Sequence, residues 1–269
     1  MKKFYNILCN IKNSQFVNHI SFLWHWKNFF FLLKYPFYRV HNRWTGKFMG
    51  YSYTELDAIP YGWRKAFGKQ MTEDIRKAGQ ASRKRIGKHL SWKQMITWEQ
   101  IKEKYGELCL YARATKEIHD ILCKYERMSL GYCICCGKPA HYCTQGWIEY
   151  YCEDCLRAEI KAYDKYRDNP ITEEEIQKEL KRCRLTEDDI PKFIRYEYET
   201  IGSEIVKKED FDKRWNELWD SEDRPKDISY CRNDNEDGTI TIKYIKSHEY
   251  EVNTEEEYGF SYKELWGLK

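Results

Sequence analysis

Apolar residues recur along this chain at two spacings, and the switch between them marks out its elements. Within 61–78, Trp63, Phe67, Met71 and Ile75 fall at four-residue steps, a helical stripe expected in the core. Leu108 and Leu110 alternate instead. With the Lys104-Tyr105-Gly106 turn they predict strands at 95–102 and 107–112. Thr115 is placed to cap a helix in which Ile118, Ile121, Leu122, Tyr125 and Met128 recur at helical spacing, and Gly131 can end it. Further on, Thr172 and Glu175 form a capping box that opens a helix with Ile176, Leu180 and Cys183 inward. A capped turn follows at Thr186, and Pro191 halts it. Ile194, Tyr196 and Tyr198 alternate as in a strand, whereas Phe211, Trp215, Leu218 and Trp219 mark a helix. Segments 228–232 and 239–246 flank the turn-rich 233–238, a predicted hairpin, and 254–269 reads as a short capped helix or tail.

The connecting segments are less regular. The aromatic run 20–33 predicts an amphipathic helix docked on the core, with a membrane-surface or partner-binding use left open. It is too short to span a bilayer, His25, Lys27 and Asn28 interrupt it, and no small-residue cleavage site follows. Tyr35-Pro36 breaks it, and 42–47 reads as a polar turn. Segment 80–89, with Arg83, Lys84, Arg85, Lys88 and His89, reads as a basic connector.

Cysteine spacing adds chemistry to this pattern. Cys133 and Cys136 form one C-x-x-C pair and Cys152 and Cys155 a second, with fifteen residues between them (137–151). That separation suits a tetrahedral four-thiolate zinc site, because each short pair wraps two sulfurs around one side of the metal. Gly137 fits a tight knuckle, 140–144 and 147–151 can form a hairpin around Gln145-Gly146, and the run from Leu156 to Tyr163 favours a helix with Cys155 in its first turn. Knuckle, hairpin and helix in that order resemble a treble-clef finger. Cys135, Cys143 and His141 lie close enough in sequence to compete as ligands, but only the two pairs use both repeats. Such a closed site holds one structural Zn2+ per chain and offers no open position to a substrate.

Composition supports a folded chain of 269 residues with 44 aromatics among them. The net charge of +3 hides an asymmetry: residues 1–131 carry +14 and residues 132–269 carry −11. A basic surface of this kind can meet nucleic acid, and Arg83, Lys84, Arg85 and Lys88 with Trp92 as a stacking ring are the candidates. An acidic surface can meet a basic partner. Its candidates are Glu173, Glu174, Glu187, Asp188 and Asp189.

The stretches Tyr35-Pro-Phe-Tyr-Arg-Val-His-Asn-Arg-Trp-Thr-Gly46, Ile59-Pro-Tyr-Gly-Trp-Arg-Lys-Ala-Phe-Gly68 and Gln100-Ile-Lys-Glu-Lys-Tyr-Gly106, and the C-x-x-C-Gly with Gly146-Trp147 before the second pair, together resemble an uncharacterised family of phage and prophage proteins. The resemblance covers about residues 1–158 and implies a zinc-ribbon-like phage accessory protein with no catalytic residue. Similar sequences often read Gly-Leu-Arg where this chain has Glu107-Leu108-Cys109, so a role tied to that arginine does not carry over.

The expected architecture is α+β: a zinc-stapled, treble-clef-like N-terminal domain over 1–168 with its finger at 133–155, and a smaller acidic α+β region over 169–269. No Walker-type, His-Glu-x-x-His, Gly-x-Ser-x-Gly or dinucleotide motif occurs. The expected function is a non-enzymatic accessory protein, cytoplasmic in a bacterial host and without a membrane span, that binds a host protein and can inhibit a defence system. Alternatives are a zinc-dependent nucleic-acid-binding protein, a virion structural protein, or a His-Asn-His-type nuclease using His141, although residues 156–167 supply no matching histidine or asparagine. Oligomeric state is left open.

Overall fold

The computed structural model describes residues 27–268 apart from 43, 168 and 222–224. Helices and strands are mixed in an α+β chain. Two compact units pack separately. One comprises the described residues through Asp189 together with those from Phe260 on, and the other runs from Ile190 to Gly259. The chain therefore leaves the first unit after Asp189 and re-enters it at Phe260, so the second unit is an insertion. The sequence reading drew its division at 168; the helix that follows that point packs within the first unit.

In the first unit, α1 (Phe29–Lys34) is six residues long with Leu32 buried, and it stops at Tyr35-Pro36. The remainder of the expected aromatic helix, 20–26, lies outside the described residues. Helix α2 (Tyr61–Ile86) buries Trp63, Phe67, Met71 and Ile75 as its stripe predicts. It also runs straight through the expected connector, which corrects that reading. Nothing in 80–86 breaks a helix, Ala78, Gly79 and Ser82 are buried along it, and the helix ends only where Gly87 turns left-handed at φ 69°. A single turn, α3 (Trp92–Met95), leads into β1 (Ile96–Lys104), which pairs antiparallel with β2 (Glu107–Ala114).

Helix α4 (Lys116–Ser129) covers this hairpin and packs on α2, where the Phe67 and Tyr125 rings lie 5.3 Å apart and the Tyr125 hydroxyl donates to Asp74 at 2.7 Å. It also protects the free edge of β2: the Leu108 amide donates to Ser129 Oγ at 3.0 Å and the Leu110 amide to Glu126 at 2.6 Å. Thr115 stands at the expected cap position but accepts no helix amide. Its hydroxyl instead lies 2.6 Å from that of buried Ser82, which donates to Glu117 at 2.8 Å, and Arg85 ion-pairs with the same carboxylate. Arg85 first, then the residue's own amide, holds Glu117 down to about 2. A depressed folded-state value means that the contribution of Glu117 is complete above the ordinary carboxylate range and is lost as pH falls from about 4.5 toward 2. Glu117→Gln should therefore melt below the parent at neutral pH, and thermal scans near pH 3 should show the gap closing.

The rest of the first unit surrounds the cysteines: β3 (Tyr142–Cys143) and β4 (Tyr150–Tyr151), a hairpin shorter than expected, then α5 (Glu153–Ala162) and α6 (Glu173–Cys183). The Thr172–Glu175 capping box forms, with the Glu175 amide donating to Thr172 Oγ1 at 3.2 Å and the Thr172 amide to Glu175 at 2.8 Å.

The insertion holds β5 (Ile194–Lys207), α7 (Phe211–Asp220), β6 (Ile228–Asp234) and β7 (Thr239–Glu251), with strand order β5-β7-β6, all antiparallel. The predicted hairpin is β6–β7, and the alternating tyrosines belong to a fourteen-residue strand that joins it. Phe211 and Leu218 of α7 pack on Ile240 and Ile242 to form a core separate from that of the first unit. Ile194 opposes Glu251, and the Val252 amide donates to the Phe193 carbonyl at 2.7 Å, so the two ends of the insertion lie side by side.

The expected terminal helix is two helices, α8 (Thr254–Tyr258) and α9 (Tyr262–Trp266), because Gly259 turns left-handed between them at φ 73°. Helix α9 belongs to the first unit. Its Trp266 is buried, with the indole donating to the Leu130 carbonyl at 3.1 Å, and Tyr262 donates to the Arg127 carbonyl. No helix among the described residues is long and apolar enough to cross a membrane.

Candidate metal centre

The chain enters the cysteine site from α4 and turns immediately. The Gly137 amide donates to the Cys133 carbonyl at 2.9 Å, the Cys133 amide to the Lys138 carbonyl at 2.8 Å, and Gly137 takes φ 76° to close the knuckle. The second pair opens α5. Cys152 is its N-cap residue, its carbonyl accepts the Leu156 amide at 3.0 Å, and Cys155 sits one turn in, where unpaired amides favour negative charge. The four ligand atoms of Cys133, Cys136, Cys152 and Cys155 all lie within 4.8 Å of one another, with Cys136 Sγ 3.5 Å from Cys152 Sγ. Bonds of about 2.3 Å to a tetrahedral ion would set sulfurs about 3.8 Å apart, so this cluster is of a size to hold a metal ion.

The electrostatics fit a cation. The Cys135 thiol donates to Cys133, and the amides of Cys152, Cys136 and Cys135 also face it, so against the cost of burial Cys133 is pushed down to about 4. Burial pushes Cys152 up to about 11 and Cys155 further. Thiols so desolvated ionise when a cation replaces their protons, and metal affinity at such a site falls as pH falls.

The site is built into the core. Cys133 and Cys152 are buried in one cluster with Tyr142, Tyr151 and Leu156, and α6 closes it with Ile176, Leu180 and Cys183. On the other side lies the start of α2. The Gly62 amide donates to the Ile134 carbonyl at 2.9 Å, the Trp63 indole donates to the Tyr132 carbonyl at 3.0 Å, and Gly62 lies against the knuckle backbone.

Compared with known protein families, curated proteins and solved structures, the chain matches none.

The remaining candidates from the sequence separate into engaged and free groups. Cys135 is exposed beside the quartet, and Cys143 points its thiol at the Thr144 carbonyl 3.6 Å away. His141, on which a nuclease reading would turn, holds the Trp266 carbonyl at 2.7 Å. Among the basic residues, Arg83 donates to the Leu90 carbonyl at 2.9 Å and lies over the Trp92 ring, and Arg85 is paired with Glu117. The Trp92 ring packs on Gly79 and, at 4.7 Å, on Phe37. Lys84 and Lys88 are exposed. Among the acidic residues, Glu173 pairs with Arg157 at 2.6 Å, Glu187 with Lys263 at 3.0 Å, and Asp189 accepts the Thr186 amide at 2.8 Å; Glu174 and Asp188 are exposed. All five stand in the first unit, outside the insertion.

Sequence reasoning missed Gly62 and α9 as parts of this centre. Gly62 carries no side chain to form a pattern, and α9 lies more than a hundred residues beyond the cysteines. The Pro60-Tyr61-Gly62-Trp63 segment at the head of a predicted helix was the one available signal.

Proposed function

We propose that Cys133, Cys136, Cys152 and Cys155 bind one structural Zn2+ in a treble-clef-like finger, and that the chain is a non-enzymatic accessory protein of phage type which binds a host protein in the bacterial cytoplasm. The observation that carries the first part is the closed four-thiolate set. Four sulfurs saturate a tetrahedral zinc ion and leave no position for water or substrate, so the ion's energy goes into folding. The phage setting rests on the resemblance over residues 1–158.

The docking part is supported by where the acid lies. Residues 190–259 contain 19 Asp and Glu against 11 Lys and Arg, a net charge of −8, whereas the rest of the chain carries +11. An acidic unit with its own core, attached at both ends to a zinc-stapled scaffold, suits a basic groove on another protein, such as the nucleic-acid channel of a defence nuclease.

Replacing 195–250 by a short Gly-Ser turn tests this. Residues 193 and 252 are already hydrogen-bonded, so the turn can close there without stretching the chain. A pull-down from host lysate should recover a partner with the full chain and lose it with the shortened one, while zinc content reports that the first unit stays folded. Equal recovery with both forms sinks the assignment.

A further inference from the structure

We propose that the tips of the two hairpins in the first unit form a binding site for single-stranded nucleic acid. The β1–β2 tip is Tyr105-Gly106 and the β3–β4 tip is 145–148. They touch, because a Cβ on Gly106 would lie 3.0 Å from the Ile148 carbonyl oxygen and 3.1 Å from its side chain. Between them they expose Tyr105 at 72%, Trp147 at 74% and Ile148 at 38%. Large aromatic rings left in water at adjoining tips are the usual currency of recognition.

Tyr105 adds a second argument. It is the one non-glycine residue with positive φ among the described residues, at 53°. Asn or Gly occupies that region with little or no penalty, whereas a tyrosine is strained there. The ring is exposed, so the fold gains little from it in return.

Charge selects the occupant. Lys104 Nζ lies 5.3 Å from the centre of the Tyr105 ring and Lys102 Nζ 5.2 Å from that of Tyr111 on the outer face of the same ribbon. Neither lysine has a carboxylate partner among the described residues. Of the nearby carboxylates, Glu107 ion-pairs with Arg127 at 2.7 Å, whereas Glu103 accepts the Gly106 amide at 2.7 Å and Glu149 accepts the Tyr151 hydroxyl, neutral donors that leave their charge in place. Free ammonium groups beside exposed rings match a polyanion whose bases can leave their stack, the pairing that single strands offer and duplexes withhold. The site is separate from the 83–92 stretch, where Arg83, Arg85 and Trp92 are occupied within the fold, and it does not depend on the protein-docking reading.

Fluorescence anisotropy with labelled oligo-dT, oligo-dA and a duplex of equal length, at low and raised salt, tests the proposal on the full zinc-loaded chain. The parent should bind single strands more tightly than duplex. Trp147→Ala and Tyr105→Asn should each weaken that binding about fivefold or more, as loss of one stacked base does. Lys102→Glu with Lys104→Glu should weaken it further and flatten its salt dependence. Tyr105→Asn keeps a residue suited to positive φ, so its melting temperature should equal or exceed the parent's, which separates lost binding from lost folding. Absence of oligonucleotide binding, equal affinity for duplex, or unchanged affinity in the two ring variants would overturn the site. If oligonucleotides fail to bind while Trp147→Ala loses a host protein that the parent captures, the tips are a protein-docking surface and the nucleic-acid assignment is wrong.

Discussion

Serine at Cys133, Cys136, Cys152 or Cys155 should strip the metal and unfold the first unit around it. Apparent binding free energies of structural zinc reach about 10–16 kcal/mol, as large as the whole net stability of an ordinary domain at about 5–15 kcal/mol. The expected effect is therefore loss of the folded state more than a shift of its midpoint. Two features make this unit sensitive. Cys133 and Cys152 are buried among Tyr142, Tyr151, Leu156 and the apolar face of α6, so unfilled thiols there disturb a core as well as a metal site. The knuckle also carries the start of α2 through Gly62 and Trp63, so its loss reaches the longest helix among the described residues. Elemental analysis should give about one zinc per chain in the parent, and chelator should lower its melting temperature. Cys135→Ser and Cys143→Ser, which change thiols outside the quartet, should retain the metal. A parent free of zinc when purified without chelator, or a Cys136→Ser protein that keeps zinc and melts normally, refutes the site.

The second large effect is expected from a single methyl group. A Cβ on Gly62 would stand 2.2 Å from the Cys133 carbonyl oxygen and 2.4 Å from that of Ile134, and a Cβ on Gly137 would stand 2.4 Å from the Gly62 carbonyl oxygen. Each of these atoms is backbone, so no rotamer change relieves the contact. Gly62→Ala must push the head of α2 off the knuckle or the knuckle off its cysteines. Overpacking typically costs about 1–3 kcal/mol, and the lost Gly62–Ile134 hydrogen bond adds about 1 kcal/mol more. Gly137→Ala adds left-handed strain of about 1–2 kcal/mol to the same clash. Gly68→Ala, in the interior of the same helix, is the control. Its nearest neighbour is Arg64 Cγ at 3.2 Å, a side-chain contact that a shift of a few tenths of an ångström relieves, so with the gain in helix propensity that variant should stay within about 1 kcal/mol of the parent. Urea melts of the three variants, with the rate of zinc loss to a chelator, measure this. A Gly62→Ala protein as stable as Gly68→Ala would show that the close approach carries no energy.

What the sequence determined by itself is what neighbouring residues settle among themselves. The stripe of Trp63, Phe67, Met71 and Ile75, the Thr172–Glu175 box, the Tyr105-Gly106 turn and the two C-x-x-C pairs each depend on spacings of a few residues, and each forms as read. Tertiary structure decided what those elements meet. Helix α2 runs through a charged stretch that looked like a connector because Ala78, Gly79 and Ser82 find burial that their own side chains do not announce. Helix α6 has an inward face legible from Ile176, Leu180 and Cys183, but that this face closes over the cysteines depends on a contact across the chain. Gly62 meets Gly137, Trp266 reaches Leu130, and β5 joins β7, each across a separation at which pattern carries no information. Backbone approach and burial are properties of the assembled core, and for that reason the four clustered cysteines could be read from spacing while the surfaces that grip them could not.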